Sequence, residues 1–387
     1  MYFGRRRQIF RPRLVIAVAL TALIASPGAG AARDRRPAAA HARAAAGRGA
    51  LASAGQKVAG LTLVNVKAPT PLPSSLPLGH PYRPPAGRVF QGVADTPIAD
   101  YTDVVAKHAA VYQEFVAWGQ WLPGISQQAK LNRSRLMMMI TTRFGSQNMI
   151  SPLGLATGAG DQWLIGLGQQ LYASHNITYL RLMAEMNNCH NAYAALNCDG
   201  SSRGPDYSAA EFRRAWRRVT LIMRGGSVAL IDKRLERLGM PELRTSLRYL
   251  ATPRVAMVWV PMVGGSPDVP ALEPAVYFPG RQWVDWVGTD FYSRYPNWSG
   301  LSSFYSAYAH VAPFAFGEYA IWDGDNPGWA HTLFGWIAAH PRTQMLVYND
   351  ASPDFWLSHF PASAGVIRSA LAAPKFLAYA PEWAPGG

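Results

Sequence analysis

Eight short apolar runs alternate with stretches of helical spacing between residues 89 and 348, and this alternation most limits what the chain can fold into. The runs are 89–93, 111–118, 136–141, 178–185, 255–261, 284–292, 313–318 and 344–348. Strands that alternate with amphipathic segments form a parallel sheet, because parallel neighbours need a crossover between them. The intervening segments carry helix signals. Ser208-Ala-Ala-Glu211 is a capping box, and Phe212, Trp216, Val219 and Met223 follow on one stripe. Arg213, Arg214, Arg217 and Arg218 fall largely off that stripe and are expected to face water. Asp161 can cap a helix carrying Leu164, Leu167 and Leu171, and Asn326-Pro327 opens another with Trp329, Leu333 and Trp336. No glycine-rich dinucleotide loop follows any run, which disfavours an open doubly wound sheet. Eight units predict an α/β fold, a closed (β/α)8 TIM barrel in a single domain over residues 88–387.

The preceding residues have a different composition. A basic stretch from Arg5 to Arg13 leads into apolar residues 14–25, then Ala29-Gly30-Ala31, which predicts a signal peptide over residues 1–31. The apolar stretch is shorter than the ~20 residues of a spanning helix. The mature chain is therefore expected to be secreted and extracellular without an integral span, or attached at the cell surface if the signal is kept. Residues 32–87 are Ala/Arg-rich and then Pro-rich, the composition of a linker, expected to be disordered or else extended and lying on the domain. The net charge of +14 is concentrated here. Residues 1–57 hold eleven Lys/Arg against Asp34 alone, so they carry +10 and the rest of the chain only +4. Nucleic acid is not the expected partner, since its footprint needs cations clustered on the folded surface.

Export makes Cys189 and Cys198, the two cysteines of the chain, a predicted disulfide. His190 beside them lacks further ligands at metal spacing, no His-Glu-x-x-His occurs, and neither metal nor cofactor is expected. A Gly-x-Ser-x-Gly elbow is absent as well.

Chemistry in such a barrel belongs at the C-terminal ends of the strands. Glu185 ends the fourth run and Glu318 the seventh; Asp290 and Tyr292 end the sixth, Asp350 follows the eighth, and Asp161 comes after the third. Alternation along the fourth run puts Arg181, Met183, Glu185 and Asn187 on one face. Two facing carboxyls are the equipment of glycoside hydrolysis, one protonating the leaving oxygen and one attacking the anomeric carbon. The plain structural alternative is that each glutamate forms a buried ion pair with a core arginine such as Arg181.

Several motifs resemble glycoside hydrolase family 26. They are Gly160-Asp-Gln-Trp-Leu-Ile, Tyr179-Leu-Arg-Leu-Met-Ala-Glu-Met-Asn187, Val258-Trp-Val-Pro, Tyr277-Phe-Pro-Gly with Trp283-Val-Asp-Trp-Val-Gly-Thr-Asp-Phe-Tyr292, and Phe314-Ala-Phe-Gly-Glu-Tyr. They run in the family's order over residues 88–350. The resemblance implies a barrel of retaining enzymes acting mainly on β-mannans. It also implies Glu185 as acid/base, Glu318 as nucleophile, Tyr292 bonded to the nucleophile and Asn187 near the acid. The family's His before the acid is Ala184 here. Arg181, Asp161, Trp163 and Trp322 complete the expected site, with Trp118, Trp121, Trp259 and Trp356 as further sugar-stacking candidates and Trp322 the first choice. The expected activity is a secreted retaining endo-β-glycosidase acting on β-mannan or a related β-glycan. The alternative is a catalytically silent carbohydrate-binding barrel, which Ala184 keeps open.

Overall fold

A computed structural model describes residues 66–120 and 124–383. The signal peptide expected over residues 1–31, the Ala/Arg-rich part of the linker, and Trp121 lie outside the described residues.

All eight predicted strands form. They are β1 (Val89–Ala94), β2 (Val111–Val116), β3 (Arg135–Ile140), β4 (Thr178–Leu182), β5 (Val255–Trp259), β6 (Trp286–Tyr292), β7 (Phe314–Ala320) and β8 (Thr343–Asn349). Each pairs in parallel with the next, and β8 pairs with β1 from Phe90↔Met345 to Ala94↔Asn349, which closes the barrel. A short ninth strand, Phe376–Leu377, adds to the start of β1.

Both faces of these strands are buried, which is why they read as near-continuous apolar runs. The inner face is a compact core containing Phe90, Met137, Tyr179, Val258, Trp286, Ala315 and Met345. The outer face, with Leu136, Leu180, Trp259, Phe314 and Phe316, packs under the helices in a larger core. Those helices include Asp161–Ser174, Ala209–Arg224, Trp298–Tyr308, Pro327–Ala339 and Pro361–Leu371. Ser208 caps its helix by accepting from the Glu211 N–H, and Asn326 does the same for Trp329.

Two expectations on the helices need correction. Asp161 lies one residue inside its helix and caps nothing, because its carboxylate is taken by Arg218 at 2.7 and 2.6 Å and by the Arg244 N–H at 2.9 Å. Arg218 accordingly does not face water; it is fully buried, as its partner requires.

Residues 66–87 form no helix or strand, and Pro81 and Tyr82 lie against the N-terminal end of the barrel. The Tyr82 carbonyl accepts from Tyr179 Oη at 2.7 Å and from Arg135 Nη1, and the Pro81 carbonyl accepts from Trp286 Nε1. Arg135 also pairs with Glu382 at 2.9 Å, so one buried guanidinium ties the Pro-rich stretch to the C-terminal segment.

Candidate active site

The opposite end of the barrel gathers a cluster of charged and amide side chains. Strand parity alone would aim Glu318 outward, since Phe314 and Phe316 face the helices. A β-bulge prevents this. Thr289 pairs with Phe316 while Asp290 pairs with Glu318, so Gly317 is the extra residue and the carboxylate is turned inward. Glycine is needed there: a Cβ would come within 2.8 Å of both Arg181 Cζ and Asp290 Oδ1.

Four donors hold Glu318. Oε1 accepts from Arg181 Nη1 at 2.7 Å and from Gln113 Nε2 at 3.3 Å; Oε2 accepts from Asn349 Nδ2 at 2.9 Å and from Tyr292 Oη. Asn349 Nδ2 also lies 2.9 Å from Tyr292 Oη, which closes a triangle on that oxygen. Burial pushes the Tyr292 hydroxyl well up, with the charge of Glu318 adding to it, so the hydroxyl keeps its proton and donates. Arg181, from β4, is fully buried. Its Nη2 reaches both Asp290 oxygens at 2.8 and 2.7 Å, and its Nη1 also donates to Gln113 Oε1 at 2.6 Å. Burial opposes its charge, but Asp290 and Glu318 more than offset that, and the net direction is upward. The ion-pair alternative therefore holds for Glu318, and the pair lies within the strand-end cluster.

Glu185 is reached differently. β4 stops at Leu182, and Met183 and Glu185 take left-handed backbone with φ of 47° and 51°. The predicted alternation through Asn187 breaks here, and Met183 goes to the outer core. A non-glycine residue in that region costs on the order of 1–3 kcal/mol and persists only when its surroundings fix it. They do. The Glu185 N–H donates to the Val260 carbonyl at 2.7 Å, and its carbonyl accepts from Asn191 Nδ2 at 2.9 Å and from the Asn188 N–H at 3.0 Å. Asn188 Nδ2 donates to Glu185 Oε2 at 3.0 Å. Burial raises the Glu185 carboxyl and the charge of Glu318 raises it further, against the smaller pull of Asn188 and Arg181.

Asn187 is placed elsewhere. It donates to the Met262 carbonyl at 3.0 Å and accepts from the Met262 N–H at 2.9 Å, bracing the loop after β5. The expected disulfide is present between Cys189 and Cys198, so His190 stands beside joined sulfurs and not beside thiolates. The loop it closes carries Asn191 and the buried Tyr193, whose Oη donates to the Ala184 carbonyl at 2.5 Å.

The aromatic candidates separate clearly. Trp322 is half-buried at the end of β7, with ring centroids 5.7 Å from Tyr292 and 5.2 Å from Phe355, and Arg294 Cζ lies 5.1 Å from its ring centroid. It lines a hollow of about 310 Å³ with Ser293, Arg294 and Asp323 to Asn326. Trp163 and Trp118 are buried against each other at 4.4 Å, and Trp259 is fully buried among Phe278, Phe304 and Tyr308. Trp356 is exposed, against His359. Asp161 and Trp163 are thus core residues, and Asp350 caps the Leu357 N–H at 2.8 Å. Gln113, Asn188 and Asn349 went unnoticed in the sequence. Position at a strand end could have flagged Asn349, but nothing local marks Gln113.

No protein-family description and no curated protein matches the sequence. Solved structures do share the barrel. A mannanase from Bacillus subtilis aligns with a TM-score of 0.52 and 14% identity, over 80% of this chain and 92% of that one. A GH26 β-mannanase from Bacteroides ovatus gives 0.51 and 13%, over 76% and 90%. GH26A from a Muricauda species gives 0.50 and 14%, over 75% and 91%. At such identity the likeness establishes the (β/α)8 fold.

Proposed function

We propose that this protein is a retaining glycoside hydrolase acting on β-mannan or a related β-glycan, with Glu318 as nucleophile and Glu185 as acid/base. One observation carries the reading: a carboxylate held by four donors shares a strand-end site with a second carboxyl that burial and the first one's charge push toward holding its proton. The order of events follows from that electrostatic link. Protonated Glu185 delivers its proton to the departing glycosidic oxygen as a Glu318 oxygen bonds to the anomeric carbon. Forming the glycosyl ester consumes the negative charge of Glu318. One of the two causes raising Glu185 then vanishes, and the residue left ionised is poised to take a proton from water. Water attack on the anomeric carbon frees Glu318 and restores the starting charges. Bonds from Tyr292, Asn349, Gln113 and Arg181 keep Glu318 from rotating out of line.

The mannanases that share the barrel support the choice of substrate class to test first. Export is part of the same proposal, motivated by the leader and by the disulfide. A second reading, a silent sugar-binding barrel, is favoured by Ala184 where the resembled family has His. Incubation with a panel of β-glycans, with detection of new reducing ends, tests the pair. Release by the wild type that Glu185→Gln and Glu318→Gln both abolish supports the hydrolase. Binding with no new reducing ends from any glycan supports the silent barrel.

A further inference from the structure

The helix Ala209–Arg224 carries five arginines, four of them in two adjacent pairs, and the structure divides those four by partner. Arg218 is buried on Asp161, and Arg214 pairs with Glu211 at 2.8 Å. Arg213 and Arg217, one helical turn apart, have no carboxylate within ion-pair distance among the described residues. A third unpaired cation joins them from the next helix, Val228–Arg237. Arg234 lies with its Cζ 5.4 Å from the Trp283 ring centroid, and Gln282, with its amide turned to suit both neighbours, accepts from Arg234 Nη2 at 3.2 Å.

The three guanidinium groups follow one stretch of backbone in order. Arg213 Nη1 donates to the Val276 carbonyl, Arg217 Nε to the Pro279 carbonyl at 3.0 Å, and Arg234 is set at Gln282 and Trp283. Each is therefore held in place and keeps most of its five donors. All three are partly exposed. Burial lowers Arg217, and the like charges of Arg213 and Arg234 lower it further, as expected of cations grouped without a counter-ion. Asp285, two residues beyond Trp283, is taken by Arg224 at 3.1 Å.

We infer that Arg213, Arg217 and Arg234 form an anion-binding row on the outside of the barrel that engages a linear acidic glycan. Guanidinium groups match carboxylate and phosphate oxygens bidentately, and a row of fixed cations suits charges repeated along a polymer. Nucleic acid fits less well. Single strands bind through stacked bases, and of the rings beside the row Phe212, Trp216, Tyr277 and Trp283 are buried while the half-buried Phe278 is packed against Trp259 and Tyr308. The row does not depend on the hydrolase reading.

The test compares the full chain with an Arg213→Gln/Arg217→Gln/Arg234→Gln variant for binding to polygalacturonate, polyphosphate, neutral galactomannan and a DNA duplex. Binding is measured at low and near-physiological salt, with thermal melts as the check on folding. Wild-type protein is expected to bind an acidic polymer, and the variant at least about tenfold more weakly and with a shallower salt dependence. The polygalacturonate and polyphosphate arms tell carboxylate from phosphate recognition. Should the triple variant fold poorly, Arg234→Gln alone, which breaks no backbone carbonyl bond, is expected to lose about threefold with an unchanged melt. The basic leader is present in every protein compared, so equal binding by wild type and variant overturns the row. Binding of DNA alone, or of polyphosphate alone, in an arginine-dependent way overturns the glycan as its occupant.

Discussion

Replacing Tyr292 by Phe removes one hydroxyl from the triangle that Tyr292, Asn349 and Glu318 Oε2 form. A hydrogen bond to a charged group contributes about 1.5–3 kcal/mol net. The Glu318 carboxylate keeps its bonds to Arg181, Gln113 and Asn349, so the loss is one of aim and not of burial. We expect kcat/KM to fall about 10–100-fold, which corresponds to roughly 1.4–2.7 kcal/mol of barrier. Asn349→Ala removes two bonds from one nitrogen and is expected to cost a similar amount. Because the two side chains also bond each other, the double variant should lose less than the product of the single losses, with a coupling of about 1 kcal/mol. The assay is initial-rate release of reducing ends from whichever β-glycan the panel identifies, alongside thermal melts. Melts should drop by only about 2–4 °C per kcal/mol for a domain of this size. A Tyr292→Phe enzyme within twofold of wild type, or losses that add without coupling, would refute the reasoning.

Three further outcomes are expected. Activity needs a proton on Glu185, whose carboxyl is raised, so kcat/KM should fall as pH rises through a value above the ordinary 4.5. Asn188→Ala removes a bond that favours the ionised form and should move that alkaline limb higher still, which a pH–rate profile reads directly. Asp161→Ala leaves Arg218 buried without its partner and should destabilise the fold by about 3–5 kcal/mol in denaturant titrations, with no change in the chemistry of protein that remains folded. Opening the Cys189–Cys198 loop with serines should cost about 2–3 kcal/mol of stability by loop entropy. It should also lower the rate, because Asn188 and Asn191 fix Glu185 from the start of that loop.

The barrel was legible in the sequence because burial on both faces writes each strand as an apolar run, and helices between the runs force parallel pairing. The aim of the two glutamates was less legible. Parity along 314, 316 and 318 points Glu318 at the helices, and only the bulge at Gly317, set by pairing with β6, turns it inward. Alternation from Arg181 to Asn187 fails for a similar reason: two left-handed residues replace the strand after Leu182, and Asn188 takes the place beside the acid that Asn187 was expected to fill. Asp161 misled because a carboxylate after a strand looks the same in sequence whether it serves chemistry or a buried arginine 57 positions away. Gln113 was invisible because its partners, Arg181 and Glu318, come from distant strands.

The reading of the site rests on a covalent bond between sugar and Glu318. Incubating the enzyme with a 2-deoxy-2-fluoro glycosyl fluoride built from the cleaved glycan, followed by mass spectrometry of its peptides, looks for that bond directly. The account predicts one glycosyl mass on the peptide containing Glu318 and none in Glu318→Gln. A protein that hydrolyses its glycan yet gives an inverted product and no adduct, or carries the adduct on another residue, would contradict it.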